Sequence, residues 1–312
     1  YLVPPYKNII PHLRATYKIL KDNHYQVMHA FDNTLNLFPM FVGKLAGVKV
    51  RISESISKGD KNEAKTKIKL ILRRFSHWFA TDFMANSIDC GVWQFGKKAY
   101  DEGRISIFKT VINAEANAFN PALREKTRNS HGWNDKVVYG FIGRYVEQKN
   151  PLFLIDVFKE IAAKQDNAIL VMVGFGDLEE QIHERIKEYH LEDKVIDLGR
   201  TDDIKQYYNA FDAFLLPSLY EGMPVVGIEA QCTGLPIFFS KNITEETTAS
   251  DLAHYIGLEE TPATWADKII KVTNKNLPRR RSYTEEIKKS GFDSFSEAKR
   301  MQEYYFNALN RK

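Results

Sequence analysis

The chain has 312 residues, 44% of them hydrophobic, which is enough for two domains of ordinary size with buried cores. Its net charge of +4 suits anionic small molecules or a membrane surface and disfavours sequence-specific binding of nucleic acid. No apolar run is long enough to cross a bilayer. The two cysteines, Cys90 and Cys232, lack metal-ligand spacing, which favours a cytoplasmic protein without a metal-binding cysteine cluster.

Short apolar strands alternate with helices over the first 130 residues. The strands are predicted over residues 26–30, 48–53, 83–85 and 105–111, and the helices over 12–21, 35–46 and 91–100. Strand, helix and strand in succession are the rhythm of a parallel sheet. The sequence therefore predicts an α/β domain at the amino terminus.

A basic segment interrupts this alternation. Seven Lys or Arg residues lie between Lys58 and Arg74, interleaved with apolar side chains, and Phe75 and Trp78 follow. One interpretation is an amphipathic helix within 58–79 that contacts anionic lipid of the inner membrane leaflet, with the aromatic rings at headgroup level. The other is a helix whose charged face is solvated and whose apolar face packs into the domain core. The sequence leaves both open.

The second half continues the same alternation. Strands are predicted over residues 136–142, 168–173, 195–198, 213–216 and 235–239, and helices over 152–163, 203–210, 264–274 and 291–309. Residues 122–134 are charged without a periodic apolar face, which predicts a linker. The expected domains are 1–130 and 131–285, with a terminal helix in 286–312. Three arginines at 279–281 are interpreted as a solvated basic turn.

The stretch from Ala213 to Ser240 holds the clearest chemical signal. It reads as a strand, a loop, a helix and a second strand, with Pro224 predicted at the first helical position. The free N–H groups of Val225 and Val226 would then leave the helix beside Gly222, at the carboxyl end of a parallel strand. Such a position binds anions, phosphate above all.

Two glutamates flank this helix start. Glu221 precedes the helix and Glu229 lies two turns into it. A phosphate repels a carboxylate, so we expect these side chains to accept hydrogen bonds from neutral hydroxyls such as those of a sugar or a ribose. The plainer interpretation is a turn residue and an exposed helix residue.

The words around these residues resemble a known family. SLYEGMPVVGIEAQCTGLP is similar to the Glu-x7-Glu signature of retaining glycosyltransferases of family 4, which have the GT-B fold of two Rossmann-like parallel-sheet domains facing across a cleft. The resemblance implies that Glu229 holds the ribose of a nucleotide-sugar and that Glu221 contacts the transferred sugar. It also implies that the backbone amides at Met223 and Val225 meet the diphosphate.

A second loop of the same kind follows the strand over 136–142. Gly143 lets a ligand approach the backbone, and Arg144 and Lys149 bring two positive charges to the carboxyl edge of the sheet. Fixed cations there would stabilise the charge that develops on a departing nucleoside diphosphate. Alone, two such residues would more often be surface charges, but GRYVEQKNP resembles the diphosphate-binding loop of the family. We therefore expect no cofactor and no divalent metal.

A glycine pair follows the strand over 168–173. Gly174 and Gly176 begin like a dinucleotide fingerprint, but Glu179 stands where the third glycine would be, and its carboxylate would repel pyrophosphate. In the family that the chain resembles, this loop lies beside the nucleotide base. Arg200 would then stand against the base, unless it is only an exposed turn residue.

The amino-terminal half carries a weaker resemblance. YQVMHAFDNT and AGVKVRISESIS are similar to the later part of the first domain of these enzymes, where a His commonly follows the second strand. Here that position reads Ser53-Glu54-Ser55. Glu54 or Ser55 occupies the role, or neither does. The opening βα units of the family have no counterpart, so we expect an incomplete first domain.

The resemblance implies an enzyme. We expect transfer of a sugar from a nucleoside-diphosphate sugar, most commonly a UDP-sugar, to a hydroxyl acceptor, with retention at the anomeric carbon. The expected acceptor is a lipid-linked saccharide in capsule or exopolysaccharide synthesis at the cytoplasmic membrane face. The alternative is a nucleotide-sugar binding protein without transferase activity. A GT-B epimerase would need His and carboxylate acid-base groups that we do not identify.

Overall fold

The computed structural model describes residues 1–57, 66–75, 77–276 and 280–311. It divides into two compact units, one made of Tyr1–Thr110 with Phe295–Lys312 and the other of Val111–Ser294. Each unit is built on its own parallel sheet. The predicted α/β class is confirmed.

The amino-terminal unit has a four-stranded sheet in the order β1-β2-β3-β4, with every pair parallel. The strands are β1 (Val27–Ala30), β2 (Val50–Ser55), β3 (Asp82–Ala85) and β4 (Ile105–Ile107). The helices are α1 (Ile9–Asp22), α2 (Leu37–Leu45), α3 (Thr66–Phe75), α4 (Ile88–Phe95), α5 (Lys97–Asp101) and the carboxy-terminal α13 (Ser294–Asn310). Ile52 and Met84 are fully buried, and Tyr304 and Tyr305 of α13 pack against the cluster that holds them.

The second unit has a six-stranded parallel sheet in the order β10-β9-β8-β5-β6-β7. The strands are β5 (Val137–Ile142), β6 (Ala168–Val173), β7 (Val195–Asp197), β8 (Ala213–Leu216), β9 (Ile237–Ser240) and β10 (Ala253–Ile256). The helices are α6 (Pro121–His131), α7 (Pro151–Lys164), α8 (Glu179–Glu188), α9 (Lys205–Ala210), α10 (Val225–Cys232), α11 (Pro262–Asn276) and α12 (Thr284–Lys289). Strands β5, β6 and β8 are buried almost throughout, as their continuous apolar runs require.

The strand order of this sheet reverses beside β5. This strand pairs with β6 on one side and with β8, much later in the chain, on the other. The loops that leave β5 and β8 therefore rise from neighbouring strands, where open α/β sheets bind their ligands. Packing against β5 is close, since a Cβ at Gly140 would lie 2.0 Å from the ring of Phe211, so a larger residue does not fit there.

The predicted linker over residues 122–134 is wrong, because most of it forms α6. Asn120 caps the helix by accepting from the N–H of Leu123, and Gly132 ends it with a φ of 71°. The inward face of α6 is not a continuous apolar stripe, because one of its buried side chains is the cation Arg128. Arg128 is buried and donates to the carbonyl of Ala210 and to Asp212.

The contact division also lies earlier than the predicted boundary near residue 130. Ile112 pairs with Asp293 in an isolated parallel bridge, and both residues belong to the second unit. Residues 295–312 group with the amino-terminal unit. The single helix expected over 91–100 is broken at Gly96, whose φ is 89°. β10 and α12 were not predicted.

The interpretation of residues 279–281 as a solvated turn is wrong for Arg280. Its guanidinium donates to the carbonyls of Thr233 at 3.0 Å, Asn209 at 2.9 Å and Tyr208 at 2.5 Å, and to that of Phe211. These carbonyls follow or end α9 and α10, so Arg280 joins the carboxyl ends of two helices. Residues 277–279 lie outside the described residues.

Part of the basic segment is described. α3 forms within it, whereas residues 58–65 and Ser76 lie outside the described residues. Leu70 and Ile71 are 44% and 60% exposed, so these two apolar side chains do not pack into the core. Among the described ranges, no helix is long and apolar enough to span a membrane.

Candidate functional site

An ion pair joins the loops that follow β5 and β8. Lys149 Nζ lies 2.5 Å from Glu221 Oε1, and the two side chains are only 13% and 9% exposed. Lys149 ends a short 3-10 helix over Glu147–Lys149 that follows β5. The structure thus brings together two residues that the sequence predicted from separate motifs. The pair lies at the reversal of strand order.

Further hydrogen bonds hold the same two loops. Gln148 Nε2 donates to the carbonyl of Tyr220 at 3.1 Å and to Glu221 Oε2 at 3.3 Å, so both oxygens of this carboxylate are engaged. The N–H of Leu219 donates to the carbonyl of Gln148 at 2.8 Å. Asn150, in the left-handed region with a φ of 53°, donates to the carbonyl of Pro217. The Lys149–Glu221 geometry is therefore set before any ligand binds.

Arg144 differs from Lys149 in its surroundings. It is exposed, and no carboxylate among the described residues pairs with it. Gly143 precedes it, directly after β5. An exposed guanidinium without a counter-ion at the carboxyl edge of a parallel sheet is free to bind a phosphate in a bidentate manner.

The start of α10 offers donors for an anion. Pro224 is the N-cap rather than the first helical residue, one position from the prediction. The N–H groups of Met223, Val225 and Val226 have no acceptor within the described part of the chain. Gly222 lies beside them in the loop. Free amides at a helix N-terminus favour a bound phosphate.

Glu229 lies on α10 and is half-buried. Its Oε2 accepts a hydrogen bond from the hydroxyl of Tyr208 at 2.9 Å. Burial raises the pKa of the Glu229 carboxyl above its ordinary value of 4.5, while the Tyr208 hydrogen bond and the charge of Lys205 act in the opposite direction. Among the described residues, no other predicted site residue forms a hydrogen bond or an ion pair with this carboxylate.

The glycine loop after β6 packs directly on the loop after β5. A Cβ at Gly174 would lie 1.9 Å from the carbonyl oxygen of Gly143, and one at Gly176 would lie 2.4 Å from that of Tyr145. The N–H of Tyr145 donates to the carbonyl of Phe175 at 2.8 Å. Glycine at 174 and 176 is therefore required by the approach of two backbones.

Arg200 is exposed, with its guanidinium carbon 5.5 Å from the centre of the half-exposed Phe175 ring. The two side chains stand at the carboxyl ends of β7 and β6. Asp197 anchors this corner by accepting from the hydroxyl of Tyr145 at 2.7 Å and from the N–H of Gly199 at 2.9 Å. An exposed surface that combines a guanidinium with an aromatic ring suits a nucleotide base.

Glu54 lies at the carboxyl end of β2 in the amino-terminal unit. Its Oε2 is 2.8 Å from Nε2 of His29, and both side chains are 8% exposed. The two groups are close without the alignment of a hydrogen bond, and Nε2 has no other partner among the described residues. Nδ1 of the same ring lies 2.8 Å from the hydroxyl of Tyr305. The hydroxyl of Ser55 instead donates a hydrogen bond to the carbonyl of Cys90.

Sequence reasoning missed four residues that shape these positions. Gln148 lies inside the quoted motif GRYVEQKNP, so its neighbourhood was a signal. Tyr208, His29 and Tyr305 meet their partners only through the fold, and no spacing in the sequence indicates those contacts.

The sequence is similar to known glycosyltransferases. The sequence matches the family described as "Glycosyl transferases group 1" over residues 124–290, more than half of the chain. A Bacillus subtilis protein named "Putative glycosyltransferase EpsF" is 29% identical over 293 residues, which are 92% of this chain and 76% of that protein. An Escherichia coli enzyme, "UDP-Gal:alpha-D-GlcNAc-diphosphoundecaprenol alpha-1,3-galactosyltransferase", is 28% identical over 73% of this chain and 61% of its own length.

Solved structures share the fold. Anabaena Alr3699/HepE, crystallised with UDP and with UDP-glucose, superposes with a TM-score of 0.77 at 18% identity, over 97% of this chain and 84% of that one. Sucrose-phosphate synthase from Thermosynechococcus elongatus gives a TM-score of 0.76 at 16% identity, over 97% and 78% of the two chains. The expected GT-B class is confirmed.

Proposed function

Because the chain belongs to the "Glycosyl transferases group 1" family, we propose that it transfers a sugar from a UDP-sugar to a hydroxyl of a lipid-linked saccharide in surface polysaccharide synthesis. The observation that carries this proposal is the Lys149–Glu221 pair together with the amides at the start of α10, which have no acceptor among the described residues. UDP in the HepE structures and the diphosphoundecaprenol acceptor in the name of the E. coli relative support the choice of donor and acceptor.

The donor contacts follow from the charges. Arg144, Lys149 and the amides at Met223 and Val225 receive the diphosphate, whose four non-bridging oxygens share two negative charges and need donors rather than carboxylates. Glu229 accepts from the ribose hydroxyls. The loop of Gly174 and Gly176 and the Arg200 side chain border the base. Because protein cations and amides meet the diphosphate charge, we propose no divalent metal and no cofactor.

Transfer proceeds with retention in this proposal. The bond from the anomeric carbon to the diphosphate oxygen breaks as the acceptor oxygen bonds to the same face, and the acceptor proton passes to the departing phosphate. Arg144 and Lys149 stabilise the charge that grows on that phosphate, which lowers the barrier more than it tightens ground-state binding. Glu221 orients Lys149 and accepts from hydroxyls of the donor sugar. Glu54 is proposed as a sugar-hydroxyl acceptor in the amino-terminal unit.

We also propose that α3 and the residues after it contact the cytoplasmic face of the membrane. Ile71 and Trp78 are each 60% exposed, and the Trp78 ring meets Phe75 edge-on at 4.6 Å between centroids. Exposed apolar and aromatic groups among basic residues favour the headgroup region of an anionic leaflet. Vesicle flotation with anionic and neutral lipid tests this: Trp78→Ala should weaken binding to anionic vesicles, and Phe306→Ala, at 59% exposure, should not.

The transferase proposal is tested with the purified chain. UDP-sugars are offered with GlcNAc-diphosphoundecaprenol and other lipid-linked saccharides, UDP release is followed, and the anomeric configuration of the product is read by NMR. We expect acceptor-dependent release and a retained configuration, with Arg144→Ala slower by on the order of 100-fold. Arg14→Ala removes an exposed arginine from the amino-terminal unit and should be neutral.

Each other outcome has a definite meaning. Absence of UDP binding would refute the donor site. Tight UDP binding without turnover on any acceptor would favour a nucleotide-sugar binding protein instead. A product of inverted configuration would support the transferase proposal and refute the proposed retention.

A further inference from the structure

We infer that Tyr208 is a positioning residue that holds Glu229 for the ribose of the nucleotide and thereby sets the preference for a ribose with both hydroxyls over a 2′,3′-dideoxyribose. The inference rests on the proposed donor site and adds a specificity residue to it. Tyr208 lies outside every motif that the sequence singled out.

The contact itself is direct and enclosed. Tyr208 is fully buried within α9, and its hydroxyl donates to Glu229 Oε2 at 2.9 Å. Burial and the adjacent carboxylate raise the pKa of this hydroxyl, so it remains a proton donor. The hydroxyl thus fixes one oxygen of Glu229 in a defined direction.

The second oxygen is left for a ligand. Glu229 Oε1 has no hydrogen-bond partner among the described residues, and the carboxylate is only half-buried. A carboxylate with one oxygen fixed and one free can accept from a neighbouring hydroxyl without first being ordered. Two adjacent ribose hydroxyls match such an acceptor, whereas a 2′,3′-dideoxyribose leaves it without a donor.

The hydroxyl of Tyr208 also keeps Glu229 in its accepting form. Burial of a carboxyl favours the neutral acid, which would present a hydrogen instead of a lone pair. The hydrogen bond from Tyr208 and the charge of Lys205 oppose that shift. Loss of the tyrosine hydroxyl therefore affects both the direction and the charge of Glu229.

The two helices that carry these side chains are fixed to each other at a second point. Arg280 Nη2 donates to the carbonyl of Tyr208 at 2.5 Å, and Nε donates to the carbonyl of Thr233 at 3.0 Å. Thr233 follows α10, and its hydroxyl donates to the carbonyl of Glu229 at 3.2 Å. A planar guanidinium holds such directions rigidly. The distance between Tyr208 and Glu229 is therefore preset by the fold.

The test compares two ligands on each variant. Calorimetry gives the Kd of UDP and of 2′,3′-dideoxyuridine diphosphate for the wild type, Tyr208→Phe, Glu229→Gln and Tyr207→Phe. We expect the wild type to prefer UDP by roughly 10- to 100-fold, the scale of hydrogen bonds to a charged group. Tyr208→Phe should lower that ratio by about 3- to 10-fold while leaving the Kd of the dideoxy ligand nearly unchanged.

Tyr207→Phe is the matched control. It removes a hydroxyl from the neighbouring, buried residue of α9, and the ring of Tyr207 stacks on Phe211 rather than meeting Glu229. Its ratio should equal that of the wild type. Thermal unfolding checks that each variant folds, and if Tyr208→Phe does not fold, Tyr208→Phe in the Glu229→Gln background supplies the same comparison against Glu229→Gln alone and should leave the ratio unchanged.

The outcomes separate the inference from the function that it refines. An unchanged ratio in Tyr208→Phe, or equal weakening of both ligands, would overturn the inference and leave the transferase proposal intact. Equal affinity of the wild type for the two ligands would overturn it as well. Failure of the wild type to bind UDP would instead remove the proposed donor site.

Discussion

The two sheets each carry a buried acid–base pair at a carboxyl edge, and the pairs differ in kind. In the second unit Lys149 meets Glu221 at 2.5 Å, with Gln148 on the second oxygen of the carboxylate. In the amino-terminal unit His29 lies 2.8 Å from Glu54 without the alignment of a hydrogen bond. A lysine is charged throughout the physiological pH range, whereas an imidazole is charged only when protonated. The Lys149–Glu221 contact is therefore an ion pair, whereas the His29–Glu54 contact is an ion pair only when the imidazole is protonated.

The origin of the partners differs as well. Lys149 and Glu221 come from two loops joined at the reversal of strand order, and each loop has a recognisable motif. His29 and Glu54 come from the adjacent strands β1 and β2, and Tyr305 reaches the pair from α13 near the other end of the chain. The comparison teaches that similar positions in two parallel sheets can be held by contacts between two neighbouring loops in one unit and completed by a residue from a distant helix in the other.

The largest expected effect comes from breaking the pair in the second unit. Lys149→Met removes the cation and leaves Glu221, 9% exposed, as an uncompensated buried charge. We expect the free energy of unfolding to fall by about 3–5 kcal/mol in urea denaturation. Adding Glu221→Gln to this variant should recover part of the loss, since it removes the stranded charge. A loss that the second substitution does not reduce would show that the pair is not the cause.

A smaller effect is expected from the pair in the amino-terminal unit. His29→Leu removes the imidazole beside Glu54 and the hydrogen-bond partner of the Tyr305 hydroxyl, and we expect a loss of about 1–3 kcal/mol, the scale of a buried polar group left unsatisfied. The Kd of UDP should stay within about twofold, because every proposed nucleotide contact lies in the second unit. Tyr305→Phe serves as the milder control. A large change in UDP affinity would contradict this separation of roles.

The smallest effect is a pH dependence that Glu229 should impose on the second unit. Burial raises the pKa of this carboxyl, so it gains its proton at a higher pH than an ordinary glutamate does. In the ionised form Oε2 accepts from Tyr208 and Oε1 remains free to accept from the ribose. UDP affinity should therefore fall as the pH is lowered from neutrality, with the loss beginning above the ordinary value of 4.5. Glu229→Gln should flatten this slope in calorimetry, and an unaltered slope would assign it to another group.

Much of the second unit could be predicted because its signals are local. Buried parallel strands are continuous apolar runs, and Lys149 and Glu221 each lie within a short contiguous motif. The remainder depends on tertiary contacts. The sequence predicts a linker instead of α6, and a solvated Arg280, because arginines are usually exposed. In the fold Arg128 and Arg280 instead donate to carbonyls of a distant segment. Tyr208 and Glu229 are 21 positions apart in the sequence and lie on different helices, so only the fold reveals the contact.

The contact of Gly174 with the loop after β5 affects the interpretation of a mutational scan of this protein. A Cβ at position 174 would lie 1.9 Å from the carbonyl oxygen of Gly143. Any side chain there would therefore displace Gly143, the residue that precedes Arg144. Substitutions there should look like losses of a ligand contact although a glycine offers no side chain to a ligand. A scan scored by activity alone would thus mark a spacer as a binding residue. Measuring the thermal stability of each position 174 variant beside its activity would distinguish a packing role from a ligand-binding role.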